Sequence, residues 1–208
     1  LREYGNFLPS PSTRWCTRQL KLLPFRQWLT PFLTRGEQIT SYVAIRADED
    51  YRQGYSPTQK GLTVEYPFRE AYIDKQGVID MLDSSGLGLP KYYEWRSRSG
   101  CTFCFFQQKI EWVNLKRQHP KAFEEAKQYE KNALDNGSPF TWTKGEPLEE
   151  LERPARIAQI EADFLARKAR EQSRKVINPL RPERIALIDV DDLYGVDEGG
   201  GSCLVCHK

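Results

Sequence analysis

Cysteine is the residue type of this chain best suited to carry chemistry, and its five copies fall in a pattern. Cys101 and Cys104 form a Cys-x-x-Cys pair directly after Gly100, and Cys203 and Cys206 form a second pair followed by His207. Two residues between thiols let both sulfurs reach one metal ion, and a preceding glycine permits the tight backbone this needs. The same spacing serves a redox dithiol, or two cysteines that simply pack. Cys16 stands apart, with Arg18 and Lys21 close behind it. A four-cysteine zinc ribbon separates its pairs by roughly 15–20 residues. Far more chain lies between Cys104 and Cys203, so the spacing does not favour a ribbon.

The thiols allow two kinds of site. In one, Cys16, Cys101 and Cys104 hold an iron–sulfur cluster with a tail cysteine, Cys203 or Cys206, as fourth ligand. In the other, a tail cysteine such as Cys203 stays unligated and acts as a mobile nucleophile, with His207 as a base. A glycine-rich end such as Gly199-Gly200-Gly201 is also compatible with a disordered tail whose cysteines do nothing. A second chemistry is offered by guanidinium groups. Arg46 and Arg52, with Lys60 farther on, can bind phosphate or sulfate bidentately. The interleaved Asp48, Glu49 and Asp50 equally describe a solvated ion-pair loop. Arg96 and Arg98, just ahead of Cys101, admit the same two readings, and beside a cluster they would favour thiolate over thiol.

Around these groups the chain is ordinary in bulk. Its 208 residues can form one core of common size with an appendage. With 31 basic and 29 acidic residues the net charge is +2, so any anion binding must come from local clusters. Apolar runs are too short for a membrane span, and no secretory signal is visible. The first residue is Leu1 and the one methionine is Met81, which leads us to expect a fragment or a processed form. An odd cysteine count without a secretory signal points to a reduced, cytoplasmic compartment and to metal-binding or reactive thiols.

The elements that must position these groups follow from periodicity. Residues 7–12, rich in Pro and Ser, read as an irregular loop. Residues 15–28 have helical spacing at Leu20, Leu23 and Trp28, interrupted by Pro24, and predict a broken helix. Residues 39–45 predict a buried strand of a parallel sheet, followed by a polar loop over 46–60. A loop at the carboxyl end of such a strand is where open α/β sheets place ligands. Helices are predicted over 75–85, 105–118 and 121–134, the last opened by Pro120, and one long charged helix over 148–175. A turn falls at 136–139, a short strand at 184–190, and a flexible tail from 195 onward. The many aromatic residues between Tyr66 and Trp112 suit core packing better than base stacking. A nucleic-acid contact through Arg167, Lys168 and Arg170 has no other support in the sequence.

Taken in order, these segments resemble the later half of the phosphoadenosine phosphosulfate (PAPS) reductase family, of the adenine-nucleotide alpha-hydrolase-like superfamily. Cys16, Lys21 and Pro24 match a family segment of the form Cys-x-x-x-x-Lys-x-x-Pro. Cluster-bearing members often have two adjacent cysteines there, whereas here Thr17 follows Cys16. The strand 39–45 with Arg46 and Arg52 is similar to the family's substrate loop, although Ala44 and Ile45 stand where glycine is usual. Residues 66–74 match a Pro-Leu-x-x-Trp region, and 99–104 match the second cysteine motif. The match covers residues 8–115. A pyrophosphate loop of Ser-Gly-Gly-Lys-Asp-Ser type lies upstream in such proteins and does not occur here, in keeping with the expected truncation.

The resemblance implies an α/β protein. Residues 1–118 would be the C-terminal part of a Rossmann-like parallel-sheet domain, and 119–208 a mainly helical extension with a Gly/Cys tail. It implies an enzyme of sulfur metabolism acting on an adenylylated or ATP-derived substrate, with a 4Fe–4S cluster on Cys16, Cys101, Cys104 and Cys206. Lys21, Arg46 and Arg52 would hold the oxyanion groups, and Cys203 would be the catalytic thiol of a cysteine-tail reductase. Partners would be an adenine nucleotide and a thiol or electron donor protein. Some relatives are instead sulfurtransferases in nucleic-acid sulfur modification. From another class comes a non-catalytic, zinc-binding interaction module associated with nucleic acid. No membrane partner is expected.

Overall fold

The computed structural model describes residues 4–5, 7–10, 15–54, 57–102, 104–137 and 140–177. The expected strand at 184–190 and the Gly/Cys tail with Cys203, Cys206 and His207 lie outside them. The chain is a mixed α/β protein that divides into two compact units. One holds the described residues between 15 and 90. The other holds 4–10 and everything described from Lys91 onward.

The first unit opens with a helical turn, α1 (Trp15–Thr17), a widened π turn over Arg18–Leu22, and α2 (Leu23–Thr34). The predicted break is therefore not at Pro24. Proline lacks an N–H and crowds the carbonyl one turn earlier. The π turn, in which Leu23 N–H bonds Arg18 O, takes up the misfit, and Pro24 sits within the first positions of α2. Two strands follow, β1 (Ile39–Tyr42) and β2 (Leu62–Glu65), paired in parallel with Ile39 opposite Leu62 and Tyr42 opposite Glu65. Val43 N–H extends the ladder to Glu65 O at 2.9 Å. The expectation of a fully buried strand over 39–45 is corrected on two counts. Only four residues pair, and they alternate half-buried and exposed, because one face of a two-stranded sheet is left uncovered. Ile45 itself is fully buried just beyond the strand. Then come the short α3 (Pro67–Glu70) and α4 (Lys75–Ser84), whose N-cap Asp74 accepts from Gly77 N–H at 2.8 Å.

The second unit is helical. α5 (Lys109–Gln118) and α6 (Pro120–Asp135) pack through Trp112 and Phe123, both with no exposed surface, their rings edge to face at 6.5 Å. Pro120 opens α6 as its fixed φ suggests. The single helix expected over 148–175 is two: α7 (Leu148–Leu151) stops at Glu152, and Pro154 starts α8 (Pro154–Ile177). Proline fits a first turn but cannot continue a preceding helix. Leu148, Leu151 and Ile160 still share the core, so the hydrophobic stripe runs on across the break. Among the expected core aromatics, Phe105, Phe106 and Trp112 are buried, whereas Tyr72 and Tyr93 are exposed.

An arginine-framed cysteine turn and a basic loop

Residues 95–111 build a closed module around the Cys-x-x-Cys pair. Glu111, in the first turn of α5, is buried, and its Oε1 accepts from the Ser97 backbone N–H at 2.8 Å and from the Ser97 hydroxyl at 2.7 Å. Its Oε2 accepts the Gln108 N–H at 3.1 Å, which caps the helix. One carboxylate thus fastens the segment before the cysteines to the helix after them. Asn114 adds a second tie, donating from Nδ2 to Trp95 O at 2.9 Å.

Both arginines ahead of Cys101 turn inward onto backbone carbonyls. Arg96 donates from Nη1 to Cys101 O at 3.0 Å, and Arg98 from Nη2 to Phe106 O at 2.8 Å. Gly100 leaves room for this, since a Cβ there would come within 3.2 Å of Arg96 Nη2. Gln107 N–H closes the turn on Cys104 O at 2.9 Å. Cys101 is exposed and Cys104 half-buried, and both are thiols, not disulfides. Arg96 is only 7% exposed, with its guanidinium 4.8 Å from the Trp95 ring centroid, yet its Nε–H has no acceptor among the described residues. Gln107 is 2% exposed, and neither polar atom of its carboxamide has a partner among the described residues.

The buried guanidinium of Arg96 on the Cys101 carbonyl puts positive charge beside the turn, which suits thiolate over thiol. The turn supplies two thiols of a metal-ligand set. Among the described residues no three His, Cys, Asp or Glu side chains gather as metal ligands. Cys16, half-buried in α1, belongs to the other unit, and Cys206 lies outside the described residues.

The basic loop belongs to the first unit. It leaves the carboxyl end of β1 and passes Arg46 and Arg52 before returning to β2. Arg46 grips Asp48 with two bonds, Nε to Oδ1 at 2.8 Å and Nη2 to Oδ2 at 2.9 Å. Arg52 pairs with Glu49 Oε1 at 2.8 Å, and Glu49 Oε2 accepts the Arg46 N–H at 3.1 Å. The ion-pair arrangement allowed by the interleaved acids is thus the one present. Burial alone would lower the Arg46 pKa, but Asp48 and Glu49 outweigh it and the pKa is raised. In Asp48 burial opposes ionisation, and the Arg46 bond and charge prevail to lower its pKa. Arg69, from α3, completes the loop by donating to the carbonyls of Glu49 and Arg52. Lys21 is exposed in the π turn.

A cleft of about 40 Å³ lies between α5 and α8, lined by Lys109, Arg156, Asp163 and Arg167 among others. Its cations are engaged. Lys109 and Arg156 share Glu146 at 2.9 and 2.6 Å, and Arg167 donates to Gln108 Oε1 at 2.8 Å. Of the three basic residues weighed for a nucleic-acid contact, Lys168 and Arg170 are exposed and Arg167 is half-buried.

Reading the sequence missed Arg69, Gln107, Glu111 and Asn114. Only Glu111 carried a local signal, three residues after Gln108 in capping-box spacing. No family model matches the chain, and no curated protein or solved structure matches it either. The fold and site define a mixed α/β protein with an arginine-framed cysteine turn. The family resemblance rests on its own motifs and their order. Among the described residues no helix is long and apolar enough to cross a membrane.

Proposed function

We propose that this chain is a PAPS reductase-like enzyme of sulfur metabolism that acts on an adenylylated or ATP-derived substrate and carries a cysteine-ligated iron–sulfur centre. The observation that carries the reading is the cysteine turn, where two thiols sit in an irregular loop clamped by Arg96 and Arg98 onto the carbonyls of Cys101 and Phe106. A thiolate set needs positive potential and hydrogen-bond donors around it, and this loop offers both. Cys101 and Cys104 would be two ligands, with Cys16 and Cys206 the further two assigned by sequence. The cluster would supply one-electron chemistry at a potential set by its surroundings.

The parallel β1–β2 pair supports the Rossmann-like part of the reading, because such sheets bind ligands in loops beyond the carboxyl ends of their strands. Arg46, Arg52 and Lys21 are the groups assigned to the substrate's oxyanions. In the loop, Asp48 and Glu49 already hold both guanidinium groups, so an incoming sulfate or phosphate competes with carboxylates for them. Reducing equivalents would come from a thiol or electron donor protein.

The test is the iron, zinc and acid-labile sulfide content of the anaerobically purified chain. About four irons and four sulfides are expected for four thiolate ligands, and Cys101→Ser should abolish the brown chromophore. Zinc without sulfide would replace the reading with a structural zinc module. A metal-free protein would sink the centre altogether.

A further inference from the structure

We infer that β1 is a self-pairing edge: two copies of the chain join antiparallel along it, so that Thr40 of each exchanges backbone hydrogen bonds with Tyr42 of the other. The two short sheets then become one. The inference stands apart from the reading of the cysteine turn.

The register shows which groups are left over. Ile39 N–H bonds Gly61 O at 2.8 Å and Val43 N–H bonds Glu65 O at 2.9 Å, so residues 39, 41 and 43 turn their backbone groups toward β2. Thr40 and Tyr42 turn theirs the other way, to an edge that no further strand lines among the described residues. Both side chains are exposed, Tyr42 by 68%, whereas Ser41 between them is half-buried. Parallel strands are ordinarily buried inside a larger sheet, and an open row of N–H and C=O groups is a template for another strand. The kind of occupant follows, because extended backbone carries donors and acceptors at the matching spacing.

Two observations select a second copy. The first is charge. Residues 38–45 contain no charged side chain and no proline, the devices that keep an edge from meeting its own kind. The outer edge of β2 has them: Lys60 and Glu65 bracket it, Pro67 follows, and Gln59 O already takes the Leu62 N–H at 3.3 Å. The exposed Leu23, Phe25 and Trp28 of α2 make a poorer self-pairing face, because Lys21 and Arg26 lie in a helical segment that contains no acid. The second is self-complementarity. An antiparallel register with Thr40 opposite Tyr42 is two-fold about Ser41, so each unused donor of one copy meets an unused acceptor of the other. It also sets the Thr40 side chain against the Tyr42 ring on the exposed face, a favourable pairing of β-branched and aromatic residues.

The test is sedimentation velocity of the full chain over rising concentration, in which the parent should pass from monomer to dimer. Thr40→Pro should stay monomeric, because it deletes an outward N–H while leaving the β1–β2 bonds in place, and an edge position of this kind tolerates proline. Tyr42→Lys should also lose the dimer, by charging the edge. Amide hydrogen exchange of the parent keeps the test decisive if Thr40→Pro fails to fold. The Thr40 and Tyr42 N–H groups should gain protection as concentration rises, whereas Ser41 N–H, inside the ladder, should be protected throughout. A parent that stays monomeric at millimolar concentration overturns the inference, and so does a dimer whose Thr40 and Tyr42 amides exchange freely. A dimer that Tyr42→Lys leaves intact and Trp28→Ala dissolves overturns it as well, moving the contact to α2.

Discussion

The carboxylate of Glu130 accepts the backbone N–H of Leu148 at 2.6 Å, across eighteen positions of chain. Its second oxygen accepts the N–H of Trp142 at 2.7 Å, and the Trp142 indole donates to Ala126 O at 2.9 Å. A single buried acid on α6 therefore staples the segment that leads into α7, and it fixes where α7 begins against the core.

Glu130→Ala should cost about 2–4 kcal/mol in urea unfolding, because it leaves two buried backbone donors without acceptors. Burial raises the Glu130 pKa above 4.5 even though both N–H groups favour the charged form. With the folded pKa above the unfolded one, the folded state binds more protons. Stability is therefore highest below the unfolded pKa and declines as pH rises through the folded one. Glu130→Gln should remove that decline from a stability–pH profile. An identical decline in the variant would assign it to another group.

Gly54 and Tyr66 hold the basic loop against the end of β2. Gly54 has φ +80°, and a Cβ there would overlap the Tyr66 ring. Gly54→Ala should destabilise by about 1–3 kcal/mol through backbone strain and overlap together. In a Tyr66→Ala background the overlap disappears and the penalty should shrink to the strain alone. Equal penalties in both backgrounds would show that the ring plays no part.

Asp48 competes with any oxyanion for Arg46. Asp48→Asn removes that competition, so sulfate should raise the unfolding temperature of the variant more than that of the parent. A sulfate response that the substitution does not increase would remove Arg46 from the substrate-binding proposal.

Glu146 receives Arg156 on both oxygens and Lys109 on one. The Arg156 bond, ahead of the opposing burial, lowers the carboxyl pKa below 4.5. The depressed folded value means the stabilisation is present above the unfolded pKa and is lost as pH falls through the folded one. Glu146→Gln should cost about 1–2 kcal/mol near neutral pH, and the difference from the parent should close in acid. A difference that persists at the acid end would mean the charge is not what stabilises the site.

The ends of α4 and α6 were legible to within a residue because Gly86 and Pro120 are local signals that act on the backbone beside them, whereas α5 starts four residues later than expected, at Lys109, where the unread Gln108 and Glu111 form a capping box. β2 was not, since Leu62 and Val64 are too few to reveal a period, and its partner β1 lies more than twenty residues back. The span 148–175 read as one helix because its hydrophobic stripe crosses Pro154 without a change of phase, although the proline itself was in view.

The sequence by itself determined the chemistry available: two thiols with two residues between them after Gly100, arginines ahead of them, and arginines alternating with acids after β1. Spacing along a chain sets which groups can reach one another locally. Only the tertiary structure decided their partners. Arg46 and Arg52 took carboxylates within their own loop, whereas Arg96 was buried against the Cys101 backbone. In the second case Glu111, fourteen positions beyond Ser97, secures the residue next to Arg96 to a helix, and Arg96 is buried there. Which charge is screened and which is buried depends on the packing of distant segments, and no local pattern encodes that.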